Sequence, residues 1–350
     1  MKQKTALIIG ASSQDGYYLS KYLLSLGYKV FGTIRRHSVS GTQDSRIQGL
    51  NIETMYADLL DRTSIDNAIK ISKPDEIYHL AAQSNVRLSF EITESTVMIN
   101  AIGTMNVLES YRHNQPTAKL YFAASSEMFG NNVDGDGYQR EGTKFKPVSP
   151  YGAAKLFGFN MVNLYQKSYG LFCSSNICFN HSSPKRGEVF VEQKICKTAV
   201  RIKLGLDEYL ELGNLHSYRD IGHSSDYVKA MHMILQQDKP DYYVIATGVT
   251  KSVGDIVDFV FDKLQISKDK LKFDAKHTRP QELDYLKGDA SRIRALGWQP
   301  EYTFESMMSE MIEYWLSQYA TVIDASSKCG NDRVIMPNVN INYPKQPGVR

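Results

Sequence analysis

Short apolar runs alternate with amphipathic stretches from the first residues onward. TALIIG (5–10) is continuously apolar, as in a strand buried on both faces. Residues 16–26 carry apolar groups at helical spacing and stop at Gly27. KVFGTI (29–34) and NIETMYAD (51–58) predict a second and a third strand, and TSIDNAIKIS (63–72) a helix closed by Lys73-Pro74. DEIYHLAA (75–82) predicts a fourth strand, 96–113 a helix and AKLYFAASS (118–126) a fifth strand. The polar stretch 131–147 is expected as a loop, 152–169 as a long helix and 171–179 as another strand. This alternation predicts an α/β chain: a Rossmann-type doubly wound parallel sheet with a smaller mixed α/β substrate-binding lobe.

The pattern is weaker beyond residue 180. DIGHSSDYVKAMHMILQQ (220–237) reads as a turn and a helix, and YYVIATG (242–248) as one more strand. Helices are expected at 252–264 and, amphipathic, over FESMMSEMIEYWLSQY (304–319). Residues 267–300 are charged and hold a Gly-Trp-Gln-Pro turn. The expected organisation is a nucleotide-binding domain over 1–180, to which the chain returns around 218–248, and a mainly substrate-binding lobe over 181–320. The tail 321–350 is expected to be loosely ordered or to lie on a partner.

Composition narrows the classes. The 350 residues are 42% hydrophobic and 23% charged with a net charge of +3, and their basic residues are scattered, which argues against a nucleic-acid surface. No apolar run approaches the roughly 18 residues of a membrane span. The segment before the first glycine turn is too short for a signal peptide. Cys173, Cys178, Cys196 and Cys329 form no CxxC pair. Reduced thiols, no metal and a cytoplasmic location are expected.

The turn after the first strand is Gly10-Ala11-Ser12-Ser13-Gln14-Asp15-Gly16. Glycine lets a backbone approach a pyrophosphate closely, and a helix N-terminus attracts it. Ser13 stands where a three-glycine loop has its middle glycine. If its φ is negative, its hydroxyl is expected to donate to a phosphate. The second strand ends in Arg35-Arg36, where arginine suits a ribose 2′-phosphate and so favours NADP over NAD; the alternative is a solvated strand end. Asp58 either takes the adenine amino group or caps a turn.

The fifth strand leads into Ser125, Ser126 and Glu127, and SPYGAAKLFG places Tyr151 and Lys155 on one helix face. An ammonium beside a phenol is expected to lower the Tyr151 pKa and make it a base, with the Ser125 hydroxyl on the same reacting group. Glu127 is an extra carboxylate that alcohol oxidation does not need. Next to a newly formed ketone it can remove the neighbouring carbon's proton and begin an elimination; the alternative is a solvated strand-end glutamate.

With these residues in place, about residues 3 to 318 resemble the extended short-chain dehydrogenase/reductases and, within them, the GDP-mannose 4,6-dehydratase family. The resemblance rests on GASSQDG (10–16), RRHS (35–38), ADLLD (57–61), LAAQSNV (80–86), SSEMFG (125–130), SPYGAAK (149–155), NHSSPKRGE (180–188), SYRDIGH (217–223) and RPQELDYLKGD (279–289). It implies conversion of GDP-mannose to a 4-keto-6-deoxy product through bound NADP. It also implies a homotetramer, with a dimer as the alternative, in which the Arg35-Arg36 loop reaches a neighbour's cofactor. Gly10 to Asp15 with Gly16, Arg35, Arg36, His37, Ser38, Asp58, Leu59, Leu80, Ala81, Ala82, Gln83, Ser84, Tyr151, Lys155, His181 and Arg186 would surround NADP. Ser125, Glu127, Tyr151 and Lys155 would be catalytic. Ser84, Asn180, Lys194, Arg219, Arg279 and Glu282, together with Ser125, Glu127 and Tyr151, would hold the GDP-sugar. Departures are Ser13 for glycine, Ser125 for threonine, Ser182 for glutamate, Lys185 for arginine, Ser95 for tyrosine, and Arg87 at a usually small or apolar position. A GDP-heptose dehydratase, a sugar-nucleotide reductase or epimerase, and a non-enzymatic NADP-binding sensor or scaffold are the alternatives.

Overall fold

The computed structural model describes residues 3–36, 46–274 and 281–328. The chain begins with β1 (Thr5–Ile9), α1 (Gln14–Ser25), β2 (Lys29–Ile34), β3 (Glu53–Tyr56), α2 (Arg62–Ser72) and β4 (Glu76–His79). Two short helices, α3 (Leu88–Glu91) and α4 (Thr93–Val97), a π-helical stretch (Met98–Ile102) and α5 (Gly103–Asn114) follow. Next come β5 (Lys119–Ala123), a 3₁₀ turn (Ser126–Phe129), α6 (Pro150–Tyr169), β6 (Cys173–Cys178) and β7 (Asn180–Ser182). The remainder is α7 (Val191–Lys203), β8 (Leu210–Leu212), β9 (Tyr218–His223), α8 (Ser224–Leu235), β10 (Tyr242–Ile245), β11 (Thr250–Ser252), α9 (Val253–Leu264), β12 (Leu271–Phe273), β13 (Tyr285–Leu286), α10 (Ser291–Arg294) and α11 (Phe304–Lys328).

Seven strands form one sheet in the order β3-β2-β1-β4-β5-β6-β10. Every neighbouring pair is parallel, the doubly wound order. Its inner strands are buried on both faces, which is why they read as unbroken apolar runs. Helices α1 and α8 cover one face, and α2, α5 and α6 the other. A second core gathers Ile195, Val200, Ile256, Val260, Phe261, Met307, Met311 and Trp315 from α7, α9 and α11. Beside it, β9 pairs with β7, β11 and β13, and β8 with β12. Among the described residues no helix is long and apolar enough to cross a membrane.

Local chemistry sets the element ends. Ser149 accepts from Gly152 N at 3.0 Å, and Pro150 opens α6 where its missing N–H costs nothing. Gly170, at φ 64°, closes the same helix in the left-handed conformation.

Three expectations need correction. The helix expected at 96–113 is broken: Met98–Ile102 is π-helical, and the buried Asn100 side chain turns out of it to hydrogen-bond a loop. The stretch read as a turn at 220–223 belongs to β9, whose Arg219 and Asp220 make its sequence look unlike a strand. The backbone at 321–328 continues α11 rather than being irregular.

Candidate active site

Sheet order reverses on either side of β1 and β4, and the loops leaving their carboxyl ends lie at the switch point where doubly wound sheets bind ligands. Leu80 N and Ala81 N both donate to Ile9 O, at 3.0 and 2.9 Å, drawing the β4 loop against Gly10. A Cβ at Gly10 would lie 2.8 Å from Ala81 N, and the residue has φ 95°. Only glycine meets both conditions. A Cβ at Gly16 would stand 2.3 Å from Ala11 O, so the second glycine seats α1 directly on the turn.

Ser13 needs no glycine conformation: its φ is −73°. The expected hydroxyl donor to phosphate is first of all the N-cap of α1, with Oγ accepting from Gly16 N at 3.0 Å. That contact uses a lone pair and leaves the hydroxyl proton to point elsewhere. Ala11 and Ser12 are buried, and Gln14 is tied to His181 O at 3.2 Å and Ser183 Oγ at 2.7 Å.

Asp15 and His181 form the electrostatic centre of this loop. His181 Nε2 meets Asp15 Oδ2 at 2.9 Å and its Nδ1 meets Phe179 O at 2.8 Å. Both ring nitrogens face acceptors, so both carry protons and the ring is an imidazolium. Burial opposes that charge, yet Asp15 raises the His181 pKa well above its ordinary value. Burial likewise opposes the Asp15 carboxylate, but His181 and then Arg186 hold its pKa below the ordinary range. Arg186 lies 3.8 Å above the Phe190 ring.

Other expected cofactor residues are placed as follows. Arg35 and Arg36 are exposed beyond β2. His37, Ser38 and Arg279 lie outside the described residues. Asp58 Oδ1 accepts from Leu60 N at 2.9 Å, so the turn-capping role is present. Leu59 is buried against Gly103, where a Cβ would approach its own Cβ to 2.7 Å. Ala82 and Gln83 are half-buried and Ser84 is exposed.

Asn100 was not anticipated. Its Oδ1 accepts from Gln83 N at 2.8 Å and its Nδ2 donates to Gln83 O at 2.9 Å, fixing the β4 loop. A lone buried amide in the apolar run MINAI was the available signal. Arg46 was also missed. Its Nη1 donates to Ser12 O at 3.2 Å, over the glycine turn.

The residues expected to do acid–base work, Ser125, Glu127, Tyr151 and Lys155, converge at the end of β5. Ser125, Glu127, Tyr151 and Lys155 are 7%, 7%, 9% and 4% exposed, so their charges are poorly screened by water. Ser125 Oγ accepts from Glu127 N at 3.2 Å and caps the 3₁₀ turn. Burial raises the Tyr151 phenol, hydrogen bonding with Ser125 lowers it, the Glu127 carboxylate raises it and Arg186 lowers it; the net direction is up. This corrects the expected lowering by Lys155. The ammonium donates instead to Ala123 O at 2.8 Å and stands 5.9 Å from the Tyr151 ring centroid. Burial brings Lys155 itself down to about 8, opposed by Cys178 and Asp15.

The expected sugar-nucleotide residues fall around β7 and β9. Arg219 Nη2 donates to Glu282 Oε1 at 2.8 Å, joining two residues 63 positions apart. Lys194 Nζ donates to Glu211 O at 2.6 Å. Asn180 opens β7 opposite Ile221 of β9.

The sequence model described as GDP-mannose 4,6 dehydratase matches residues 7–311. GDP-mannose 4,6 dehydratase 2 of Arabidopsis thaliana is 43% identical over 327 residues, covering 89% of this chain and 86% of that protein. GDP-mannose 4,6-dehydratase of Sinorhizobium fredii is 40% identical over 348 residues, covering 90% of this chain and 97% of that protein. Among solved structures, Thermus thermophilus UDP-glucose 4-epimerase in complex with NAD superimposes with a TM-score of 0.79. At 22% identity, covering 89% of this chain and 98% of the epimerase, that likeness is one of fold. With the family model matching residues 7–311 and relatives about 40% identical over most of the chain, the protein belongs to the GDP-mannose 4,6-dehydratase family.

Proposed function

We propose that this chain converts GDP-mannose to GDP-4-keto-6-deoxymannose and water by internal redox chemistry through bound NADP. The observation that carries the reading is the buried set Ser125, Glu127, Tyr151 and Lys155 at the end of β5, beside the glycine turn. The cradle at Gly10 and Gly16, which a Cβ would fill, fits a dinucleotide pyrophosphate at the α1 N-terminus. Ser13, through its remaining hydroxyl proton, and Arg186 would add donors there. Arg35 and Arg36 favour a 2′-phosphate. When bound, the oxidised nicotinamide supplies the hydride acceptor and a positive charge beside the phenol.

Tyr151 takes the proton of the sugar C4 hydroxyl as C4 is oxidised, and Ser125 hydrogen-bonds O4. The C4 ketone acidifies the C5 proton, which Glu127 removes. Glu127 then protonates the departing C6 hydroxyl, so one proton passes from C5 to water. The hydride lost from C4 returns at C6, C5 of the resulting enolate takes back a proton equivalent to the one Tyr151 removed from O4, and no net redox equivalent is consumed. Lys155 keeps a positive charge near Tyr151 and reaches the cofactor ribose. Asn180, Lys194, Arg219, Arg279 and Glu282 hold the GDP portion. The chain acts as a homo-oligomer, with a tetramer favoured. Exposed Val97, Met98, Phe157 and Leu164 on the adjoining π-helical stretch, α4 and α6 support self-association.

The test is incubation of the full chain, carrying its cofactor, with GDP-mannose and no added reductant. Loss of one water in the product mass is expected. Glu127→Gln is expected to abolish dehydration while allowing partial C4 oxidation. Turnover of GDP-heptose but not GDP-mannose would overturn the substrate assignment, and full activity in Glu127→Gln would overturn the mechanism. Light scattering of the same preparation reads the oligomer.

A further inference from the structure

Arg219 and Asp220 are consecutive in β9 and therefore face opposite sides of the strand. Arg219 pairs with Glu282. Asp220 faces the other way and is fully buried. Its Oδ1 accepts from Thr247 N at 2.8 Å and Thr247 Oγ1 at 2.7 Å. Its Oδ2 accepts from Gly248 N at 2.7 Å and Gly288 N at 3.3 Å. One carboxylate thus joins β9, the turn leaving the edge strand β10 and the segment that carries Glu282. That segment is seated tightly: a Cβ at Gly288 would lie 2.3 Å from Ala246 Cβ and 2.8 Å from the Phe179 ring.

We propose that Asp220 is a positioning residue for the sugar-nucleotide site, holding the 281–289 segment so that Glu282 and Arg219 meet. The inference rests on the functional reading above and deepens it. Asp220 touches neither substrate nor reacting atoms. It acts as an acceptor hub, because both of its oxygens are met by obligatory backbone donors. An asparagine cannot replace it: in either amide orientation, the NH₂ faces a backbone N–H. That leaves a buried donor unpaired and releases one of the three segments. Tyr227 on α8 and Lys287 on the segment are the titratable groups that feel its charge, alongside the backbone donors of 247, 248 and 288.

The experiment compares wild type with Asp220→Asn and Thr247→Val in the full chain, reading GDP affinity by calorimetry, KM and kcat for GDP-mannose, and cofactor occupancy by absorbance. Asp220→Asn is expected to weaken GDP binding and raise KM about tenfold, the scale of one buried donor left unpaired. The kcat and cofactor occupancy should stay within about twofold, a pattern general destabilisation would not give. Thr247→Val removes one donor to Asp220 and the acceptor of Val249 N, an exposed amide that water can satisfy, so about a threefold effect is expected from it. It also keeps the proposal testable if Asp220→Asn does not fold. Unchanged GDP affinity in a folded Asp220→Asn, or a parallel fall in kcat and cofactor occupancy, would overturn the proposal. Absence of GDP binding by the wild type would instead overturn the functional reading beneath it.

Discussion

The Asp15–His181 pair is the most direct electrostatic test of the nucleotide loop. His181→Leu removes the imidazolium and leaves the Asp15 carboxylate without its main counter-charge. Breaking a buried pair in this way costs about 3–5 kcal/mol. The two side chains are 20% and 11% exposed, so water screens part of the loss and the lower figure, about 3 kcal/mol, is expected. Asp15→Asn acts differently. Without the carboxylate, burial returns the ring to neutrality. Its single proton stays on Nδ1 for Phe179 O, and the asparagine NH₂ donates to Nε2, so the bond survives with reversed polarity. About 1 kcal/mol is expected. The double variant orphans no charge, and its cost should fall about 2 kcal/mol short of the sum of the singles. Urea unfolding of the four proteins, with cofactor occupancy read in parallel, measures this cycle. The pH dependence has a definite sign. Asp15 is lowered, so its contribution is present above 3.8 and lost as pH falls through its folded value. His181 is raised, so its contribution is complete below 6.5 and lost as pH rises through its folded value. Wild type should therefore exceed the double variant most between about pH 4 and 6.5. Additivity within about 0.5 kcal/mol, or a flat pH difference, would show that the pair is not ionised.

Gly16→Ala drives a Cβ into Ala11 O, and because both partners are backbone the turn must move; dinucleotide affinity should fall at least about tenfold with the fold retained, measured by fluorescence titration. Glu76→Leu removes the acceptor of four donors, Lys4 Nζ, Tyr28 OH, Gln236 Nε2 and the buried Tyr78 OH, so a loss of about 3 kcal/mol in urea unfolding is expected. Asn100→Ala strips both partners from the Gln83 peptide and should weaken cofactor retention on gel filtration while leaving secondary structure unchanged by circular dichroism.

The first half of the fold was legible because a parallel sheet buried on both faces writes itself as apolar runs. β2 was expected at 29–34 and lies at Lys29–Ile34. The second half was less so, for physical reasons. β7 and β8 have three residues each, too few to show a period. The sequence of β9, YRDIGH, mixes an arginine that pairs with Glu282 and a buried aspartate whose partners come from Thr247, Gly248 and Gly288. No local pattern can announce acceptors that are satisfied 27 to 68 residues away. The four residues expected to be catalytic could be singled out because their types are rare together at that spacing, and the structure buries all four. Their electrostatics could not be read the same way: proximity on a helix face suggested that Lys155 acts on Tyr151, whereas the ammonium is committed to Ala123 O.

That displacement shifts attention to Ser125 as the residue that tunes the base. Its Oγ accepts from Glu127 N, so its hydroxyl proton is free to donate to the phenol oxygen. A donor favours the phenolate, and its loss should raise a pKa that burial already holds high. A hydrogen bond to a charged group is worth about 1.5–3 kcal/mol, equal to a shift of about 1–2 pH units. The base must be deprotonated, so kcat rises with pH through the Tyr151 pKa. In Ser125→Ala that limb should move to higher pH by at least about one unit. Activity should then recover only partly, because Lys155, at about 8, loses its ammonium before the phenol ionises. Ser125→Thr keeps the hydroxyl and should restore the wild-type limb. A pH-independent loss in Ser125→Ala, with the limb unmoved, would mean that Ser125 acts on the sugar oxygen alone and that the phenol is tuned elsewhere.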